Sequence, residues 1–150
     1  MKKKTETVNE TKITFPSYSS NESFARSVAA SFCAQMNPTY DELSDIKCAV
    51  SEAVTNAIVH GYREKIGEIT MTLRITGDRV FRAEIRDRGC GIPNVEEAMR
   101  PLYTTAPEDE RSGMGFTIIE NFMDSLRVSS TVGKGTKVIM SKKLSLLPRR

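Results

Sequence analysis

The chain has 150 residues, 39% hydrophobic and 27% charged, which is ordinary globular usage and too apolar for general disorder. Its length is that of one domain, able to bury roughly two-thirds of its unfolded surface without staples, and no apolar run approaches the roughly 18–20 residues of a membrane span. The net charge of +3 is concentrated at the ends, in Lys2 to Lys4 and from Lys134 to Arg150. A nucleic-acid face would instead set basic residues among aromatics on a folded surface. Met1-Lys2-Lys3-Lys4 precedes no signal-like apolar segment. Three cysteines (Cys33, Cys48, Cys90) beside a single histidine, His60, disfavour a disulfide framework or a zinc site. The expectation is one cytoplasmic domain over residues 1–150.

In chain order, Lys12-Ile13-Thr14-Phe15, closed by Pro16, reads as an edge strand. Ser20-Asn21-Glu22 offers helix-start chemistry before Phe24, Val28 and Phe32, whose spacing of four predicts one helix face as core or dimer surface. Asn37-Pro38 ends that helix. Thr39 with Glu42 three residues on is a capping box. Behind it Ile46, Ala49, Val50, Ala53, Val54, Ala57 and Ile58 form a broad stripe that Gly61 stops. The period then changes to two: Ile69, Met71, Leu73 and Ile75, a turn at Gly77-Asp78, then Phe81, Ala83 and Ile85. This predicts a hairpin with one buried face. Residues 87–115 are glycine-rich and weakly periodic, which in a compact domain points to function. A helix at about 115–123 and strands near 126–130 and 136–141 complete the elements, with a basic tail at about 142–150.

Three features could carry chemistry. Glu52 and Asn56 are four apart, hence stacked on one helix face at the border of the apolar stripe. A carboxylate there can take a proton and an amide oxygen can hold a hard cation, although most such pairs are solvated faces. Asp87-Arg88-Gly89-Cys90-Gly91 follows a strand directly. It reads either as a carboxylate that accepts from an exocyclic amine beside a tight backbone turn, or as that turn alone. Arg111-Ser112-Gly113-Met114-Gly115-Phe116 sets a glycine pair at a helix start. Backbone N–H groups there can face an anion, or the helix merely needs glycine to turn. Gly133-Lys134 is not part of a phosphate-binding P-loop, since Val128 and Gly135 occupy positions that need glycine and Ser or Thr.

Their order resembles the ATP-binding fold of the gyrase, Hsp90, histidine-kinase and mismatch-repair superfamily over about residues 40–140. Longer strings narrow the resemblance: Asn21-Glu22-Ser23-Phe24-Ala25-Arg26, Ser51-Glu52-Ala53-Val54-Thr55-Asn56-Ala57, His60-Gly61-Tyr62, Pro101-Leu102-Tyr103-Thr104-Thr105 and Glu110-Arg111-Ser112-Gly113-Met114-Gly115-Phe116-Thr117. On these the chain is similar to the anti-sigma F family of serine kinases from spore-forming bacteria.

The resemblance implies a two-layer α+β sandwich, its sheet mixed but largely antiparallel and covered by helices on one face. It implies Glu52 as the general base toward a substrate serine and Asn56 as the Mg²⁺ ligand bridging ATP or ADP phosphates. It places Asp87 on the adenine amine, with Gly89 and Gly91 shaping that pocket and Thr136 supporting the aspartate. Residues of about 94–112 would form a lid in which Thr104, Thr105 and Arg111 contact phosphate, beside the amides of Gly113 and Gly115. Arg26 would help dock partners. Those partners would be sporulation sigma factor F and the anti-anti-sigma factor, stage II sporulation protein AA, on a homodimer with no direct nucleic-acid or membrane contact. A related kinase of another regulatory switch, or a nucleotide-binding module that only sequesters, are the alternative readings. Cys90 inside the aspartate motif and Ala106 where relatives commonly carry lysine depart from the pattern, and His60 reads as a structural hydrogen-bonding residue.

Overall fold

The computed structural model describes residues 6–100 and 115–146. Five strands form one sheet: β1 (Thr7–Pro16), β2 (Glu68–Thr76), β3 (Val80–Asp87), β4 (Ser125–Thr131) and β5 (Gly135–Lys143), in spatial order β1-β2-β3-β5-β4. All four pairings are antiparallel, so the parallel component allowed by a mixed sheet is absent among the described strands. Helices α1 (Ser20–Ala34), α2 (Tyr40–Asn56), α3 (Val95–Ala98) and α4 (Phe116–Phe122) complete the elements.

The two-residue period of the hairpin decides which face is covered. Ile69, Met71, Leu73 and Ile75 on β2, and Phe81, Ala83 and Ile85 on β3, are buried, as are Val138 and Met140 on β5. The alternate residues Arg82 and Arg86 are exposed. Apolar side chains on one face exclude water only if helices cover it, and α1, α2 and α4 supply that layer. No helix among the described residues is long and apolar enough to cross a membrane.

β1 is longer than its sequence pattern indicates. The expected alternation covers only its second half, with Ile13 half-buried and Phe15 buried, whereas from Thr7 to Thr11 the side chains are exposed or half-buried and no apolar alternation marks the strand. Its ladder to β2 creates the strand, with Glu10 paired to Arg74 at 3.1 Å. Helix α1 also differs from expectation. Its buried residues are Ala25, Ala29, Phe32 and Cys33, whereas Phe24 is 52% exposed and meets Phe15 edge-on at a ring separation of 6.5 Å. The face against α2 is therefore turned toward small residues, which permit close approach. The expected side-chain cap at its start is absent; Asn21 Nδ2 instead donates to the Pro16 carbonyl at 2.9 Å, tying the helix to β1.

Helix α2 follows its pattern closely. The Thr39 hydroxyl accepts from the Glu42 amide at 3.1 Å and the Glu42 carboxylate accepts from the Thr39 amide at 2.8 Å, which satisfies two amides the helix cannot. Beyond Asn56 the helix widens into a π turn, Ala57–Gly61. Short α3 went unforeseen because four residues carry no periodicity; the Asn94 side chain caps it by accepting from the Glu97 amide at 3.0 Å. At the chain's other end, β5 takes in Lys142 and Lys143, and Leu144 is only 2% exposed. Lys142 and Lys143 therefore belong to the sheet rather than to the expected tail. Lys142 Nζ donates to the Phe122 carbonyl at 2.8 Å and pairs with Asp45 at 3.4 Å, joining α4 to α2.

Candidate nucleotide site

The inward alternation of β3 ends on Asp87, which therefore points into the same layer as Phe81, Ala83 and Ile85 and is only 5% exposed. A carboxylate placed there loses hydration, and burial raises its pKa above the ordinary value. The backbone amides of Gly89 and Thr136 oppose that rise, with Gly89 donating at 2.9 Å. Thr136 faces Asp87 across the β3–β5 ladder. Its amide, rather than its hydroxyl, serves the carboxylate; the hydroxyl lies 2.8 Å from that of Ser130 on β4. Ser130 also accepts from the Ile92 amide at 2.7 Å and donates to the Gly135 carbonyl at 3.0 Å, so one hydroxyl anchors the loop after the aspartate motif.

Gly89 has a steric reason. A Cβ there would stand 2.0 Å from the Gly61 carbonyl oxygen, so any side chain would push the loop off the π turn. The Cys90 amide donates to the same carbonyl at 2.8 Å, and the Gly133 amide donates to the Cys90 carbonyl, also at 2.8 Å. The Cys90 thiol is exposed and donates to the His60 carbonyl at 3.2 Å.

Helix α2 brings the second group of residues. Asn56 is 8% exposed, and its Nδ2 has no hydrogen-bond partner among the described residues. A buried, unpaired amide donor costs free energy unless a ligand completes it. One turn earlier, the Glu52 carboxylate lies against the last residue of the G-x-G string. A Cβ on Gly115 would fall 2.5 Å from Glu52 Oε2, and Gly115 itself holds φ +73°. The positive φ favours glycine there, and a side chain would displace the Glu52 carboxylate. Gly115 starts α4 without a side-chain cap.

Asn56, His60, Gly61, Asp87, Gly91, Ile92, Phe116 and Thr136 line one cleft between α2 and the sheet. The cleft is partly open to solvent, and its cavity volume is about 20 Å³, room for about one water. The sheet and α2 thus bring together Asn56, Asp87, Gly91 and Thr136 in the cleft, with Gly89 packed immediately behind, whereas Glu52 and Gly115 meet outside its lining, one helical turn before Asn56. Thr104, Thr105, Arg111, Gly113 and Ala106 lie outside the described residues, as does most of the expected lid. Arg26 sits in a separate groove between α1 and α4, lined also by Lys47, Ser51, Glu52, Ile118 and Phe122. Glu22 joins Arg26 to that groove's floor: it accepts from the Ser51 hydroxyl at 2.5 Å and stands 3.8 Å from the Arg26 guanidinium.

The donor set fits a nucleotide with Mg²⁺. Among the described residues no group of three or more His, Cys, Asp or Glu could hold a metal. A cation at Asn56 would take its remaining oxygens from phosphate and water, as Mg²⁺ commonly does. Ser130 was not singled out from the sequence, and Tyr62 stood there only within the string His60-Gly61-Tyr62, with no role of its own. Ser130 is one hydroxyl in a serine- and threonine-rich strand, and its loop partner is 38 residues away.

Residues 15–142 match the family model described as a histidine kinase-like ATPase domain. The chain is 53% identical over 139 residues to the anti-sigma F factor of Clostridium acetobutylicum, covering 93% of this chain and 96% of that one. It is 55% identical over 137 residues to the anti-sigma F factor of a Thermoanaerobacter species, with 91% and 95% coverage. The Geobacillus kaustophilus anti-sigma F factor is 54% identical over 137 residues, with 91% and 94% coverage. Among solved structures, the RsbU and RsbW domains of a Mycobacterium tuberculosis protein superpose with a TM-score of 0.70 at 22% identity, covering 95% of this chain and 34% of that one. The catalytic domain of the histidine kinase ThkA gives 0.54 at 17% identity, with 91% and 97% coverage; both likenesses concern the fold. With the family match spanning most of the chain and its relatives aligned almost end to end, the chain belongs to the anti-sigma F factor family, built on a histidine kinase-like ATPase domain.

Proposed function

We propose that this anti-sigma factor is a Mg-ATP-dependent serine kinase. It binds sporulation sigma factor F and phosphorylates a serine of its antagonist, the anti-anti-sigma factor stage II sporulation protein AA. The observation that carries the reading is the convergence, on one cleft, of a buried carboxylate and an unpaired buried amide, with a second carboxylate one helical turn before that amide and close against Gly115.

Asp87 accepts from the exocyclic amine of adenine, oriented by the Gly89 and Thr136 amides. Asn56 would hold the cation through Oδ1, and its unpartnered Nδ2 would donate to a phosphate oxygen. Bound Mg-ATP supplies the transferable phosphoryl group, and the cation spreads its charge. Glu52 takes the proton of the incoming serine hydroxyl, a general-base role worth about 10²–10⁴-fold. Phosphoryl transfer asks mainly for positioning and charge neutralisation, so a rigid helix bearing Glu52 and Asn56 one turn apart suits it. The contacts of Thr104, Thr105, Arg111 and Gly113 with phosphate rest on the family resemblance alone.

Partner choice follows from linkage: if the cleft's occupant alters the groove that holds Arg26, each partner's affinity depends on the nucleotide bound. Glu52 lines that groove and stands one helical turn before Asn56 of the cleft, which supports that coupling. The protein acts as a homodimer in the cytoplasm.

The test mixes purified protein, Mg-ATP labelled at the γ-phosphate and the anti-anti-sigma protein. Acid-stable label on a partner serine is expected, and Glu52→Gln abolishes it while ATP still binds. ATP binding without transfer would leave a sequestering module, and parent-rate transfer by Glu52→Gln would remove Glu52 from the mechanism.

A further inference from the structure

Tyr62 belongs to none of the chemical motifs, yet it sits behind the aspartate loop with only 9% exposure. Its hydroxyl accepts from the Arg88 amide at 2.7 Å and donates to the Glu68 carbonyl. Its ring fills the space above Gly67, where a Cβ would come within 2.1 Å of a ring carbon. The ring is therefore fixed by packing and the hydroxyl by two backbone partners.

The Arg88 amide is the peptide that follows Asp87. The residue before Tyr62, Gly61, lies directly beneath the Asp87 carboxylate: a Cβ there would be 2.8 Å from Asp87 Cγ. Two consecutive residues thus grip the aspartate from two sides, Gly61 at the carboxylate and Tyr62 at the next peptide. Burial raises the phenol's pKa, with the Asp87 charge adding to the rise and the Arg88 amide opposing it. The hydroxyl stays protonated at neutral pH and keeps donating to Glu68.

We propose that Tyr62 is a positioning residue for nucleotide-base recognition: by clamping the 87–88 peptide to the start of β2, it aims the Asp87 carboxylate at the exocyclic amine of the base. This rests on the reading of Asp87 given above. Removing the hydroxyl frees the peptide to rotate and leaves the Arg88 amide and Glu68 carbonyl without their shared partner.

The experiment compares the parent chain with Tyr62→Phe in equilibrium binding of Mg-ATP and of purine riboside triphosphate, which carries the same phosphates without the amine. The parent is expected to prefer ATP. Tyr62→Phe should reduce that preference about tenfold, the scale of a lost hydrogen bond to a charged group. Its affinity for purine riboside triphosphate should stay within about twofold. In the Asp87→Asn background, Tyr62→Phe should remove no further preference, because the two act as one unit. Equal weakening of both nucleotides, or a lowered urea midpoint with unchanged preference, would make Tyr62 a structural residue only and overturn the proposal. A parent chain without preference would refute the Asp87 reading itself, a result distinct because it needs no variant.

Discussion

Gly115→Ala separates a backbone effect from a catalytic one. At φ +73° an alanine pays the left-handed penalty of about 1–2 kcal/mol. Its Cβ would also stand 2.5 Å from Glu52 Oε2. Glu52 is only half-buried, so its carboxylate swings aside rather than remaining in contact at that distance. The stability loss should therefore be little more than the backbone penalty, a fall in Tm of about 2–8 °C for a domain this size. Phosphotransfer should fall further, by about 10–100-fold, because a displacement of about 1 Å is enough to misplace a reacting group. Urea unfolding and the labelled-phosphate assay are run on Gly115→Ala alone and on Gly115→Ala in a Glu52→Ala background. The second background retains the backbone penalty and relieves the clash. Nearly equal stability losses in both backgrounds are expected, because the carboxylate swings aside; parent-rate transfer by the single variant would refute the close approach of Glu52 and Gly115.

Asp87 has a raised folded pKa, so its contribution to stability is fully present below the unfolded value of about 3.8 and is lost as pH rises through the folded value. Urea midpoints of nucleotide-free protein should show that loss in the parent and not in Asp87→Asn; identical pH profiles would refute it. Thr39→Ala removes half of the α2 capping box and should cost about 0.5–2 kcal/mol, read as a lower urea midpoint with unchanged nucleotide affinity. Burial pushes the Cys33 thiol up to about 11, whereas Cys48 and Cys90 are exposed. A thiol reagent at pH 8 should label those two quickly in the native protein and Cys33 only after unfolding.

Patterns confined to a few consecutive residues were legible in the sequence alone. The capping box at Thr39 and Glu42, the α2 stripe and the period-two hairpin all arise from local rules, and each formed as expected. The aspartate motif was legible for the same reason: a carboxylate at a strand's last inward position must face the core, and Gly89 and Gly91 mark a tight turn. The tertiary structure decided everything that depended on approach between distant segments. β1 gains its full length from pairing with β2 rather than from its own alternation, and α1 turns Ala25 and Ala29, not Phe24, toward α2 because small residues let two helices come close. The clamp of Tyr62 on Arg88 and of Ser130 on Ile92 exists only once the sheet aligns them. A side chain's type announces what it can donate or accept, whereas its partner is fixed by the folding of segments that share no local signal.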